Sequence, residues 1–259
     1  MNRFTAHLGT LFLEQAPLER PAAARTAGFE AVEAWWPPAP DADEWIAAVR
    51  AAGVTAELVN ADGGDLVAGE RGYCTVPGRE GEVLRAVCEA ARVVLACGGD
   101  LVNLLVGHVD PARDAAFQHD LAVETVRAAG DEAAVLGARI VIEHLNPIDV
   151  EAPLLPTPAA AAAFVTEVAH PAVHLLFDAY HAARAGLDPL AELEPVAHLI
   201  GHVQYADSPG RGAPGTGTID LWALVERLDA VGYEGRVGLE YVPAGPTTES
   251  FAFLAGRPA

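Results

Sequence analysis

The chain has 259 residues, 51% of them hydrophobic, enough apolar side chain for one large core, which excludes a disordered protein. Acidic residues number 36 and basic residues 16, a net charge of −20 that repels phosphate backbones and makes nucleic acid a poor partner. The apolar stretches are short and broken by Gly, Pro or charge, and none reaches the roughly 18–20 residues that a membrane-spanning helix needs.

The first β-rich run, Phe4–Leu8, follows Met1 with no charged and apolar leader ahead of it, so a cytoplasmic protein without a signal peptide is expected. Further runs follow at Ala31–Trp36, Thr55–Asn60, Leu101–Gly107, Arg139–Leu145, Val173–Tyr180, Ile200–Ala206 and Arg236–Val242. Ala-, Glu- and Arg-rich stretches of helical character separate them, and one more follows the last run. Four helical stretches end in a small-residue lead and a glycine, at Gly28, Gly53, Gly137 and Gly232, the residue a left-handed helix C-cap requires. Strands that return through helices are parallel, and eight such units close into a (β/α)₈ barrel, an α/β TIM barrel forming a single domain over 1–259. An open doubly wound sheet is the alternative, weakened because no Gly-x-Gly-x-x-Gly follows the first strand. The longest irregular segments, 61–79, 146–156 and 208–218, all follow strands and so share the C-terminal rim, where barrel active sites sit. Cys74, Cys88 and Cys97 form no C-x-x-C pair and read as two helical core thiols and one loop thiol.

Four consecutive apolar strands carry a polar residue near their ends: Glu143, Asp178, Gln204 and Glu240. A carboxylate inside an apolar strand is costly unless paired or bound to a cation. Neighbouring strands lie about 4.8 Å apart, so inward side chains on four of them can meet at one point. Three carboxylates and an amide oxygen make a hard oxygen set, suited to a divalent metal, Mg²⁺ or Mn²⁺, rather than zinc.

The segments GERGYCTVPGRE (69–80), NLLVG (103–107), IEHLNPIDVEAP (142–153), FDAYH (177–181), GHVQYADSPGRGAPGTG (201–217) and GLEYVP (238–243) resemble hydroxypyruvate isomerase, a family within the xylose-isomerase-like sugar isomerases and epimerases. The resemblance spans Arg3 to about Phe253. It implies an intramolecular oxidoreductase that interconverts hydroxypyruvate and tartronate semialdehyde. One divalent metal would sit on the residues matching Glu143, Asp178, Gln204 and Glu240, with the two glutamates as proton donor and acceptor. The family pattern has proline where His144 stands and glutamate where Thr218 stands.

Other residues complete the expected site. His181, three residues after Asp178, is a candidate to bind substrate or orient a ligand. Arg211 and Arg71, in Gly-rich loops, are candidates to grip a substrate carboxylate. His144 should point away from the barrel axis by strand alternation. Trp35 or Trp36 is a candidate wall of the pocket, and Glu33, Glu57 and Asn60 are further polar groups inside strands. The expected partner is a small hydroxy-carbonyl acid or sugar. Barrels of this kind often form homo-oligomers, and no segment here identifies an interface. Three rivals remain: a keto-tetronate, ketose or inosose isomerase or epimerase on the same scaffold, a metal-cluster nuclease, and a non-catalytic sugar-binding barrel. The nuclease is opposed by the charge of −20, and the binding barrel by the cost of carboxylates buried to no purpose.

Overall fold

The computed structural model describes residues 3–256; residues 1, 2 and 257–259, the ends of the domain expected over 1–259, lie outside the described residues. Eight parallel strands close into one barrel: β1 (Phe4–His7), β2 (Ala31–Ala34), β3 (Thr55–Asn60), β4 (Gly98–Leu104), β5 (Arg139–Glu143), β6 (Val173–Asp178), β7 (Ile200–Tyr205) and β8 (Val237–Leu239), the last pairing back onto β1. Helices α1 (Arg20–Thr26), α2 (Ala42–Ala52), α3 (Glu80–Ala96), α4 (Ala115–Leu136) and α5 (Pro158–Val168) follow the first five strands in turn. The fold is the expected (β/α)₈ barrel. Asp41, Asp114 and Thr157 cap the N-termini of α2, α4 and α5 through their side chains. Gly53 and Gly137 end α2 and α4 at φ of 68° and 89°, the left-handed conformation that their sequence position implies.

Two segments depart from simple alternation. Between β6 and β7 the expected single helix is two, α6 (Ala179–Arg184) and α7 (Pro189–Val196), because Gly186 turns the chain at a φ of 85° and Pro189 starts a fresh helix. A helix α8 (Leu221–Ala230) leads into β8, but the segment after β8 is a 3₁₀ run at Thr247–Gly256 rather than an α-helix. The second strand is also shorter than the apolar run suggests. It stops at Ala34, and Trp35 and Trp36 precede Pro37 and Pro38, which lack the N–H a ladder needs.

The barrel interior is unequal around its circumference. Leu58, Leu101, Val141 and Leu176, on β3 to β6, form a separate buried cluster inside the barrel. Side chains two residues further along a strand share the same face, so Asn60, Asn103, Glu143 and Asp178 form the next layer toward the rim. On β7, β8, β1 and β2 the corresponding positions below the rim are His202, Gly238, Thr5 and Glu33, so three of the eight positions in this layer are polar.

Candidate active site

The turn from β6 into α6 builds one wall. Asp178 ends the strand and caps the helix, its Oδ1 accepting the His181 N–H at 3.0 Å. That cap fixes the first turn, so His181 leans back over β5 with Nε2 3.5 Å from Glu143 Oε1. The other ring nitrogen, Nδ1, accepts from the Asn146 backbone N–H at 3.0 Å and lies 2.7 Å from its side-chain amide. The ring proton therefore sits on Nε2 and faces Glu143. Burial, with Arg211 nearby, pushes His181 down to about 3, so it stays neutral. Glu143 Oε2 accepts from Asn103 Nδ2 at 2.8 Å. Ligand atoms of Glu143, Asp178 and His181 all lie within 4.8 Å of one another, a group able to hold a metal ion. Because the His181 Nε2 proton points at Glu143, we read His181 as a donor to that carboxylate rather than as a third ligand.

The opposite wall is Glu240, just past β8. Its Oε1 accepts from Trp35 Nε1 at 2.7 Å, and its Oε2 pairs with Arg211 Nη2 at 2.9 Å. His7 on β1 sits behind, with Nε2 3.7 Å from Oε1. Arg211 also lies over the Tyr180 ring, 5.2 Å from its centroid. Burial opposes the Arg211 charge, but Glu240, Asp178 and Glu143 outweigh it and push its pKa up. The loop that carries Arg211 is anchored by buried Asp207, which accepts from the backbone N–H groups of Gly215 (2.9 Å), Gly217 (2.8 Å) and Ile219 (2.9 Å).

Between the walls lies Gln204, paired in register with Asp178. Its Nε2 donates to Glu33 at 2.8 Å, while its buried Oε1 has no hydrogen-bond partner among the described residues. Burial, with the neighbouring Glu240 and Asp178 carboxylates, raises Glu143 well above the usual carboxylate range. Clustered carboxylates and an amide oxygen without a donor are what a hard divalent cation satisfies, so the residues present fit the expected metal. The fit is incomplete at Glu240, since both of its oxygens already have donors.

A cavity of about 300 Å³ opens above these groups, lined by Trp35, Asn60, Arg71, Glu143, His181, Arg211 and Glu240 among others. Arg71 joins it from the loop after β3, held by the carbonyls of Leu66 and Glu70 at 3.0 and 2.7 Å. Burial and the proximity of Arg211 lower its pKa. Of the two tryptophans, Trp35 lines the cavity and Trp36 packs against the core. His144 lies outside the strand wall, edge-on to Phe177, with Nε2 accepting the Asp178 N–H at 3.3 Å; burial holds it neutral, at about 3. Sequence reasoning missed Asn103 and the Trp35 N–H. Asn103 stands one strand away from Glu143, on the inward face shared with Leu101, and that alternation was a usable signal. Nothing local to Trp35 points to Glu240. Of the thiols, Cys74 is a buried loop residue, Cys88 is a half-buried residue of α3, and Cys97 lies just past that helix.

A protein family described as the xylose isomerase-like TIM barrel matches residues 21–256. A Streptomyces coelicolor protein named “Putative hydroxypyruvate isomerase” is 41% identical over 97% of this chain and 95% of its own. The 2-oxo-tetronate isomerase of Cupriavidus necator is 33% identical over 98% of both. Among solved structures, one described as an AP endonuclease, family 2, from Brucella melitensis superposes with a TM-score of 0.93 at 32% identity, covering 100% of each chain. With the closed barrel, its polar rim and these relatives together, the chain belongs to the xylose isomerase-like TIM barrel family and is an isomerase.

Proposed function

We propose that the protein is a metal-dependent isomerase that shifts a proton between adjacent carbons of a small hydroxy-carbonyl acid, with hydroxypyruvate and tartronate semialdehyde as the substrate pair. The carrying observation is the close cluster of Glu143, Asp178 and His181, with Glu240 lining the same cavity as Glu143 and with the Gln204 Oε1 unpartnered among the described residues. Glu143, Asp178, Gln204 and Glu240 would hold Mg²⁺ or Mn²⁺, which when bound supplies polarisation of the carbonyl and adjacent hydroxyl. One glutamate takes the proton from the hydroxyl-bearing carbon, giving an enediolate, and the other returns a proton to the former carbonyl carbon. Asn103 and His181 orient Glu143, and Trp35 and Arg211 orient Glu240. Well-placed acid–base groups of this kind each contribute about 10²–10⁴-fold. Arg211, with Arg71 beside it, would receive the substrate carboxylate, the local positive charge that an anion needs in a chain of net charge −20. Leu105, Leu145 and Val150 line the same cavity and limit the water that reaches the transferred proton.

A longer acid is the second reading. A wider cleft of about 670 Å³ flanks the site and shares Arg71, Asp149 and Val150 with it, leaving room for a four-carbon chain such as that of the 2-oxo-tetronate isomerase relative. The deciding experiment incubates hydroxypyruvate, keto-tetronates and ketoses with the protein and Mn²⁺ in D₂O and follows deuterium incorporation. Exchange confined to hydroxypyruvate supports the first reading, and faster exchange on the four-carbon acid supports the second. Glu143→Gln and Glu240→Gln are expected to abolish exchange while the fold persists, and near-normal turnover in either rejects the proposed chemistry.

A further inference from the structure

Beneath the site, Glu33 on β2 is fully buried in the barrel interior. The space for it exists because β8 has a glycine opposite: a Cβ on Gly238 would collide with Glu33 Oε1. Three donors converge on this one carboxylate. The Thr5 hydroxyl and His202 Nε2 (2.8 Å) reach Oε1, and Gln204 Nε2 reaches Oε2 at 2.8 Å. A carboxylate offers acceptors only. It therefore dictates which end of the Gln204 amide faces down, and Oε1 is left facing up with no partner among the described residues.

That dictation matters because the surroundings above favour the opposite choice. Glu143, Asp178 and Glu240 are also acceptors, and an unrestrained Gln204 amide would turn its NH₂ toward them. Turned that way it would fill the place of a cation with its own donor protons. We propose that Glu33 is a positioning residue that locks the Gln204 amide with its oxygen toward the metal site, an inference that rests on the metal-dependent reading above. Glu33 touches neither the cavity nor the proposed ion, and it acts through Gln204 alone. Outer partners of this kind typically change metal affinity by about 10–100-fold when removed.

The test measures Mn²⁺ affinity by the loss of the free-ion electron paramagnetic resonance signal. In Glu33→Gln the Thr5 hydroxyl and His202 N–H hold the new carbonyl, so the new NH₂ faces Gln204 and forces it over. Mn²⁺ affinity is expected to fall about 10–100-fold. Glu57→Gln removes a negative charge from the same barrel interior without touching Gln204, since Glu57 pairs with Arg236, and it should keep wild-type affinity. The exchanged pair E33Q/Q204E restores donor-to-acceptor matching, with a carboxylate oxygen facing the site, and should recover wild-type affinity or better. Equal affinity in wild type and E33Q overturns the proposal, as does an equal loss in E33Q and E57Q. Should E33Q not fold, the exchanged pair decides: folded and binding supports the proposal, folded without binding refutes it. A wild-type protein that binds no Mn²⁺ fails the metal reading instead, so the two failures are distinct.

Discussion

The substitution Asp207→Asn changes one atom and almost no volume, yet it should loosen the loop that delivers Arg211. The Asp207 carboxylate takes three backbone N–H groups, two on Oδ2 and one on Oδ1. An asparagine side chain in its place has a single acceptor oxygen. Its best arrangement keeps Gly215 and Gly217 and turns an NH₂ toward the Ile219 N–H. The buried Ile219 donor is then unsatisfied, costing about 1–3 kcal/mol, and the two surviving bonds lose their charge assistance, about 0.5–1.5 kcal/mol each. These terms sum to about 2–6 kcal/mol, and a value in the lower half of that range, about 3 kcal/mol, corresponds to roughly a hundredfold in a local opening equilibrium. Amide hydrogen exchange at Gly215, Gly217 and Ile219 reads this directly, with amides of α4 as the internal reference. Protection is expected to fall about a hundredfold at the three loop amides and little elsewhere. A fall of less than about fivefold, or an equal fall in α4, would refute the argument that Asp207 organises this loop locally.

Arg211→Ala should raise KM for a carboxylate-bearing substrate about 10–100-fold, the worth of a charged hydrogen bond of about 1.5–3 kcal/mol, and an unchanged KM removes Arg211 from substrate binding. In metal-free protein the raised pKa of Glu143 makes the folded state hold its proton to higher pH than the unfolded chain does. This group therefore costs stability progressively as pH rises above about 4.3, the ordinary glutamate value. Chelator-treated Glu143→Gln should accordingly gain on wild type in thermal midpoint between acid and neutral pH, and Mn²⁺ should close the gap; a gap that narrows with rising pH contradicts the reasoning. Burial pushes Cys74 up to about 12 and Cys97 up to about 11, whereas Cys88 is half-buried on α3. Thiol titration of the native protein at pH 8 should show Cys88 reacting first and the other two only on unfolding; fast reaction of Cys74 would show that its loop opens.

Legibility differed by the range of the interaction involved. The barrel could be read from strand and helix alternation because each unit is closed by local signals, such as the Gly53 and Gly137 caps. Asp178 and His181 were equally readable, since a strand end, a cap and a first helical turn set their spacing within four residues. The contacts that define the walls are of another kind. Trp35 to Glu240 spans 205 residues and Glu33 to Gln204 spans 171, and no local pattern encodes which donor meets which acceptor across the barrel. The engagement of both Glu240 oxygens by Trp35 and Arg211 also follows from that closure. The break between α6 and α7 was visible as Gly186 and Pro189, but the apolar period runs through it and masked the turn.

The uneven lining of the barrel bears on how such a site could be transplanted. The layer below Asn103, Glu143 and Asp178 is plain hydrocarbon, of the sort found under the rim of many barrels. Below Gln204, Glu240 and His7 it is a hydrogen-bonded foundation of Thr5, Glu33 and His202, with Gly238 left vacant of any side chain to admit it. A designer who copied the rim residues alone onto a barrel with a uniform aliphatic interior would reproduce the β5–β6 side and leave the β7–β8 side without its footing. The smallest portable unit is therefore two layers deep on one side of the barrel and a single layer deep on the other.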